Sequence, residues 1–109
     1  MKTIAVVAIS LLTVSSASVR AADGKALWEA NCTSCHGQNG AADTPMGKAV
    51  KAKDLTDPKV QAEFTDAKAA QSIKEGVKRN GETAMPAFAG TLTDDEIKAL
   101  VAYVRTLKK

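Results

Sequence analysis

Cys32-Thr33-Ser34-Cys35-His36 is the stretch on which the reading of this chain turns. Two cysteines three positions apart, followed at once by a histidine, form the attachment pattern of a c-type haem. Each residue type has its own chemical task. The two thiols add across two vinyl groups of the porphyrin, and their spacing matches the separation of those vinyls. The imidazole comes next in the chain and arrives beneath the iron. Other uses of the same residues fare worse. A thioredoxin-like Cys-x-x-Cys needs a βαβ setting, and no convincing strand is legible. A structural zinc site needs four ligands, while the whole chain has two cysteines and one histidine. A plain disulfide between Cys32 and Cys35 stays open in an oxidising compartment.

The N-terminus supports an oxidising setting. Met1-Lys2-Thr3 carries one positive charge, Ile4 to Val14 is an apolar run of 11 residues, and Ser15 to Ala22 is small and mostly polar. That is the tripartite pattern of a secretory leader. The run is too short to span a bilayer, which takes roughly 20 apolar residues. Small residues at the −3 and −1 positions fit cleavage after Ala21, and also after Ala17. Taking Ala21, residues 1–21 are leader and residues 22–109 form one domain. Those 88 residues carry thirteen basic and twelve acidic side chains, a net charge of +1 against +3 for the full sequence. Nothing in that balance argues for nucleic acid. A domain of this size is marginal alone. One Trp, one Tyr and two Phe make a thin core, which a bound porphyrin would fill.

The periodicity predicts an all-α chain of about four helices. The first runs from about Asp23 to Cys35, with Ala26, Leu27 and Ala30 on an apolar stripe and Trp28 beside it. Gly37 ends it. The segment from Ala41 to Phe64 is less regular, with a short helical start at Asp57-Pro58 and Val60 and Phe64 on one face. A further helix covers about Asp66 to Val77, where Ala67, Ala70, Ile73 and Val77 recur at helical spacing. Asn80-Gly81 marks a turn, and Gly81 to Gly90 reads as loop. Thr93-Asp94-Asp95-Glu96 is a capping box. It opens the clearest helix, whose buried stripe is Ile97, Leu100, Val101, Val104 and Leu107. No strand is predicted.

His36 is the only histidine, so a haem held by this chain would take it as its proximal ligand. Bis-histidine coordination within one chain is excluded. Two methionines compete for the opposite face. Met85 lies 49 residues beyond His36, in an irregular segment just before Pro86. Met46 lies only ten residues beyond it. The opposite face demands a chain that travels round the ring edge, which favours Met85. A neutral thioether opposite imidazole raises the reduction potential.

The segment from residue 23 to 108 resembles a class I c-type cytochrome of the short bacterial and algal kind. The likeness rests on Gly24-x-x-x-Trp28-x-x-x-Cys32-Thr-Ser-Cys35-His36-Gly37, on Gly81-Glu-Thr-Ala-Met85-Pro86-Ala-Phe88, and on Leu92-Thr-Asp-Asp-Glu-Ile97-Lys-Ala-Leu100-Val-Ala-Tyr103-Val104. The resemblance implies the cytochrome c fold wrapped around one covalent haem c. It implies thioethers at Cys32 and Cys35, and His36 and Met85 as axial iron ligands. Gly24 and Trp28 match the crossing of the first helix over the last, at Leu100 and Tyr103. Pro45 is similar to a loop proline whose carbonyl accepts the His36 ring N–H, a bond that fixes the tautomer.

The expected function is one-electron shuttling between redox partners by a monomer, exported to the periplasm. A thylakoid lumen is the lesser alternative. The contact face would be the haem edge near Cys35 and Met85, through small, transient interfaces. No stable membrane insertion is expected after leader cleavage. Lys48, Lys51 and Lys53, with Lys78-Arg79, could steer an acidic partner or be ordinary solvated surface. Competing functions are a haem enzyme or sensor with an open sixth site, an electron-entry subunit of a larger oxidase or dehydrogenase, and an exported thiol oxidoreductase without haem.

Overall fold

A computed structural model describes residues 8–10, 12 and 21–109; most of the expected leader, including its cleavage stretch at 13–20, lies outside the described residues. Six helical segments and one hairpin follow in order: α1 Ala21–Asn31, α2 Thr33–His36, α3 Pro45–Ala49, α4 Pro58–Ala62, α5 Asp66–Glu75, β1 Val77–Arg79, β2 Glu82–Met85 and α6 Asp94–Thr106. The mainly helical expectation is met, and the expectation of no strand is corrected. Among the described residues there is a two-stranded antiparallel sheet, and there are six helical segments where about four were expected.

α6 forms as its sequence predicts. The Thr93 hydroxyl accepts the Glu96 N–H at 3.2 Å, and the Glu96 carboxylate accepts the Thr93 N–H at 3.0 Å. This reciprocal cap satisfies two donors that a helix start leaves unpaired. Ile97, Leu100, Val101 and Val104 are buried, Leu107 packs beside them, and Ala99 is buried as well. Thr44, Asp57 and Thr65 cap α3, α4 and α5 in the same chemical way, each side-chain oxygen accepting a first-turn N–H.

α1 crosses α6, and the crossing depends on Gly24. A Cβ at Gly24 would lie 2.2 Å from the Ala99 carbonyl oxygen and 2.9 Å from the Tyr103 Cβ. Only a residue without a side chain admits that approach. The contact falls on Ala99 and Tyr103, one residue short of the Leu100 expected. The large buried side chain of α1 is Trp28, 1% exposed, while Ala26 and Ala30 of the expected stripe face solvent. Trp28 packs against the core formed by Leu55, Ile73, Leu92, Ile97, Leu100 and Val104.

Arg105 ties the end of α6 to the segment before α5. Its guanidinium donates to the Gln61 carbonyl (2.6 Å), the Gln61 side-chain oxygen (2.9 Å), the Phe64 carbonyl (2.7 Å) and the Asp66 carboxylate (2.8 Å). Gln61 is buried, and its amide donates in turn to the Leu55 and Val104 carbonyls. Every polar group at this junction has a partner, which is the condition for burying them without a net cost.

Candidate haem cleft

The Cys-x-x-Cys-His run sits where α1 becomes α2. Helical hydrogen bonds continue through it, from Cys32 N–H to the Trp28 carbonyl and from His36 N–H to the Cys32 carbonyl. Cys32, Cys35 and His36 are half-buried as a result. α3 braces this run. The Thr44 hydroxyl donates toward the Ser34 and Cys35 carbonyls at 2.8 Å each and accepts the Gly47 N–H at 2.9 Å. Pro45 and Met46 were weighed for the site from sequence, but the brace by Thr44 was not legible, because a five-residue helix has no periodic signal to read.

Met85 reaches the site by a different route. β1 and β2 pair around Asn80-Gly81, with Arg79 opposite Glu82, Lys78 opposite Thr83 and Val77 opposite Met85. Asn80 and Gly81 both take positive φ (53° and 79°), as a two-residue hairpin turn requires. The register leaves Ala84 unpaired as a bulge. Ala84 and Met85 are consequently both half-buried, in place of strict alternation. That missing alternation is why these strands were not predicted. Gly76 sets the approach: a Cβ there would lie 2.7 Å from the Met85 carbonyl oxygen, and its φ is +77°. Beyond Pro86 the chain is stapled to the end of α5. Phe88 N–H donates to the Ile73 carbonyl and Ala89 N–H to the Lys74 carbonyl.

The two routes end on one cleft of about 460 Å³, within the roughly 300–1,000 Å³ of small-molecule and cofactor sites. Cys32, Cys35, His36 and Met85 all line it, with Trp28, Leu55, Phe64, Ile73, Leu100 and Val104 among the apolar lining. Met46 does not line it and is 54% exposed on α3. The four residues named from sequence therefore converge, and the competing methionine stands apart.

Burial pushes the His36 imidazole below its ordinary pKa, opposed in part by the Lys53 backbone. It is thus neutral at pH 7, the form that can ligate a metal. Its Nδ1 is buried with no hydrogen-bond partner in the structure, and so is Trp28 Nε1. The two rings stand 5.6 Å apart. The expected bond from His36 to the Pro45 carbonyl is not formed. Pro45 is exposed and opens α3 as its first residue, where a missing N–H costs nothing. The backbone that bears on the imidazole belongs to Lys53, in the loop after α3.

Burial, with the neighbouring Cys35, pushes the Cys32 thiol up to about 11. A redox-active Cys-x-x-Cys needs the opposite shift, toward thiolate. That shift disfavours the thiol-oxidoreductase alternative. An apolar slot with two half-buried thiols, a neutral imidazole and a thioether on its walls fits a haem. It offers the donor set of a His/Met iron site and two points for covalent attachment.

Comparisons with known proteins agree. A family model described as "Cytochrome C oxidase, cbb3-type, subunit III" matches residues 19–104. Cytochrome c6 of Tetradesmus obliquus is 42% identical over 84 residues, covering 74% of this chain and 83% of that protein. The cbb3-type cytochrome c oxidase subunit FixP of Azorhizobium caulinodans is 38% identical over 84 residues, covering 77% of this chain but only 26% of that one. The solved KustC0563 c-type cytochrome superposes with a TM-score of 0.69 at 34% identity, covering 80% of this chain and 99% of its own. The chain belongs to the small class I c-type cytochromes, electron carriers with covalently bound haem c.

Proposed function

We propose that this chain is an exported, diffusible one-electron carrier whose haem is held by Cys32 and Cys35 and ligated by His36 and Met85. The observation that carries the reading is the convergence of these four side chains on one apolar cleft. Bound haem c supplies an iron that cycles between ferrous and ferric states. The rest is the work of this chain. The Cys32 and Cys35 thiols tether the porphyrin edge, so the carrier keeps its cofactor between encounters. His36, held neutral by burial, would hold the iron through its imidazole. The Met85 thioether, soft and neutral, would be the second ligand and favour the reduced state. Trp28, Leu100 and Val104 exclude water and lower the local dielectric.

Residues 1–21 act as a leader that is removed, leaving a monomer in the periplasm. Among the described residues no helix is long and apolar enough to cross a membrane. Partners dock transiently near Cys35 and Met85, as redox encounters do. The family match to an oxidase subunit favours one further reading, an electron-entry domain bound to a membrane oxidase.

The test is expression with the leader in a host that matures c-type cytochromes. The expected product is a red periplasmic protein. Its oxidised form should show the weak red absorption band that reports thioether–iron ligation. Met85→Ala should abolish that band, and Met46→Leu should leave it. A colourless exported product overturns the reading. Quantitative recovery in the membrane fraction with an oxidase favours the bound domain.

A further inference from the structure

A single guanidinium bridges two segments that line the cleft. Arg79 Nη1 donates to the Val50 carbonyl at 2.7 Å and to the Lys51 carbonyl at 2.8 Å, bridging segments 28 and 29 residues apart. Val50, Lys53, Arg79 and Met85 all line the cleft. The two bridged segments carry opposite sides of the site. Val50 and Lys51 lie just before Lys53, whose backbone bears on the His36 imidazole. Arg79 belongs to the hairpin that ends at Met85.

Two details separate this contact from an ordinary surface cation. Lys53, Lys74 and Arg105 are each paired with a carboxylate. Among the described residues Arg79 is in no such ion pair; its guanidinium donates to main-chain carbonyls instead. Charge-assisted bonds of that kind are stronger than neutral ones. The loop it grips is also strained. Lys51 takes φ = 55°, a region that non-glycine residues occupy only where their surroundings hold them. Backbone bonds from the Lys51 N–H to the Lys48 carbonyl (3.3 Å) and from the Ala52 N–H to the Gly47 carbonyl (2.8 Å) also tie that loop, both within its own stretch of chain.

We propose that Arg79 is a positioning residue that clasps the His36-side loop to the Met85-bearing hairpin, so that both sides of the iron site loosen together. The inference rests on the His36/Met85 ligation proposed above. It goes beyond that reading by making the grip on Met85 depend on a residue that contacts neither ligand.

Imidazole titration of the ferric holoprotein tests it, because imidazole competes with the Met85 side chain. Losing two charge-assisted bonds should make imidazole bind about tenfold more tightly to Arg79→Gln. Arg79→Lys keeps the charge and donors and should stay near wild type. Lys78→Gln, on the same strand, should match wild type. Unchanged imidazole affinity in Arg79→Gln overturns the clasp, even if that variant melts earlier. Should Arg79→Gln yield no holoprotein, hydrogen exchange in the wild type decides. Saturating imidazole should speed exchange in the hairpin and at the Ala52 amide together; faster exchange in the hairpin alone overturns the proposal. A wild-type protein without the thioether band overturns the ligation reading instead, a result visible before any titration.

Discussion

The crossing of α1 with α6 and the hairpin carrying Met85 are built on different physics. The crossing is a buried contact between two helices. Trp28 and Leu100 are each 1% exposed, and Gly24 lets the backbones meet. The hairpin is short, with exposed Lys78, Arg79, Glu82 and Thr83. It is held by its own ladder, by two backbone bonds to the end of α5 and by Arg79. The His36 side of the cleft thus continues directly from a core helix, whereas the Met85 side reaches the core only through Met85 and Phe88, from a hairpin otherwise held by polar bonds at the surface. The contrast teaches that the two proposed ligands should fail at unequal cost, even though Arg79 couples the loops beside them. Loss of Met85 is a local event, whereas loss of the His36 side takes the fold with it.

The predictions probe that contrast. His36→Ala should have the largest effect, with no stable holoprotein after export; normal accumulation with an unaltered spectrum would remove His36 from the proximal role. Leu100→Ala should cost the holoprotein about 2–5 kcal/mol in denaturant unfolding, with the thioether band intact under native conditions. Loss of the band before unfolding would show that the two regions are not separable. Met85→Ala should do the reverse, abolishing the band and lowering the potential while far-UV circular dichroism is retained. Gly24→Ala puts a methyl into the Ala99 carbonyl, and overpacking should cost about 1–3 kcal/mol. A neutral result there would mean that the helices part at no expense.

The smallest effect belongs to Asp54. Its carboxylate accepts the Thr56 N–H at 2.9 Å and the Thr56 hydroxyl at 2.6 Å. These bonds hold its pKa below the ordinary carboxylate value. That contribution is present above the unfolded-state pKa and is lost as pH falls through the lowered folded value. Asp54→Asn should flatten the acid-side loss of stability and barely change stability at neutral pH. An unaltered acid profile would remove Asp54 from the account.

Most of the core side of the molecule was legible. The capping box and apolar stripe of α6 are local signals, and the structure follows them residue by residue. The Cys32–His36 run was legible because its chemistry dictates its spacing. The hairpin was not. Its strands are three and four residues long, and the Ala84 bulge erases the alternation by which a strand is recognised. The Asn80-Gly81 turn was visible, but nothing local announced that the flanking residues pair. The exposure of Ala26 and Ala30 was missed for a related reason. A stripe of alanines carries little information about which side of a helix is buried, whereas Trp28 decides it by size.

The sequence by itself determined the attachment motif, the single histidine and the terminal helix, because each is a matter of residue type and short-range spacing. Only the tertiary structure decided which carbonyls surround His36, how Met85 is delivered and what Arg79 holds. Those depend on backbone groups, which every residue shares and no sequence pattern singles out. The Lys53 backbone bears on the imidazole because chain path, not side-chain identity, sets where a main-chain group lies.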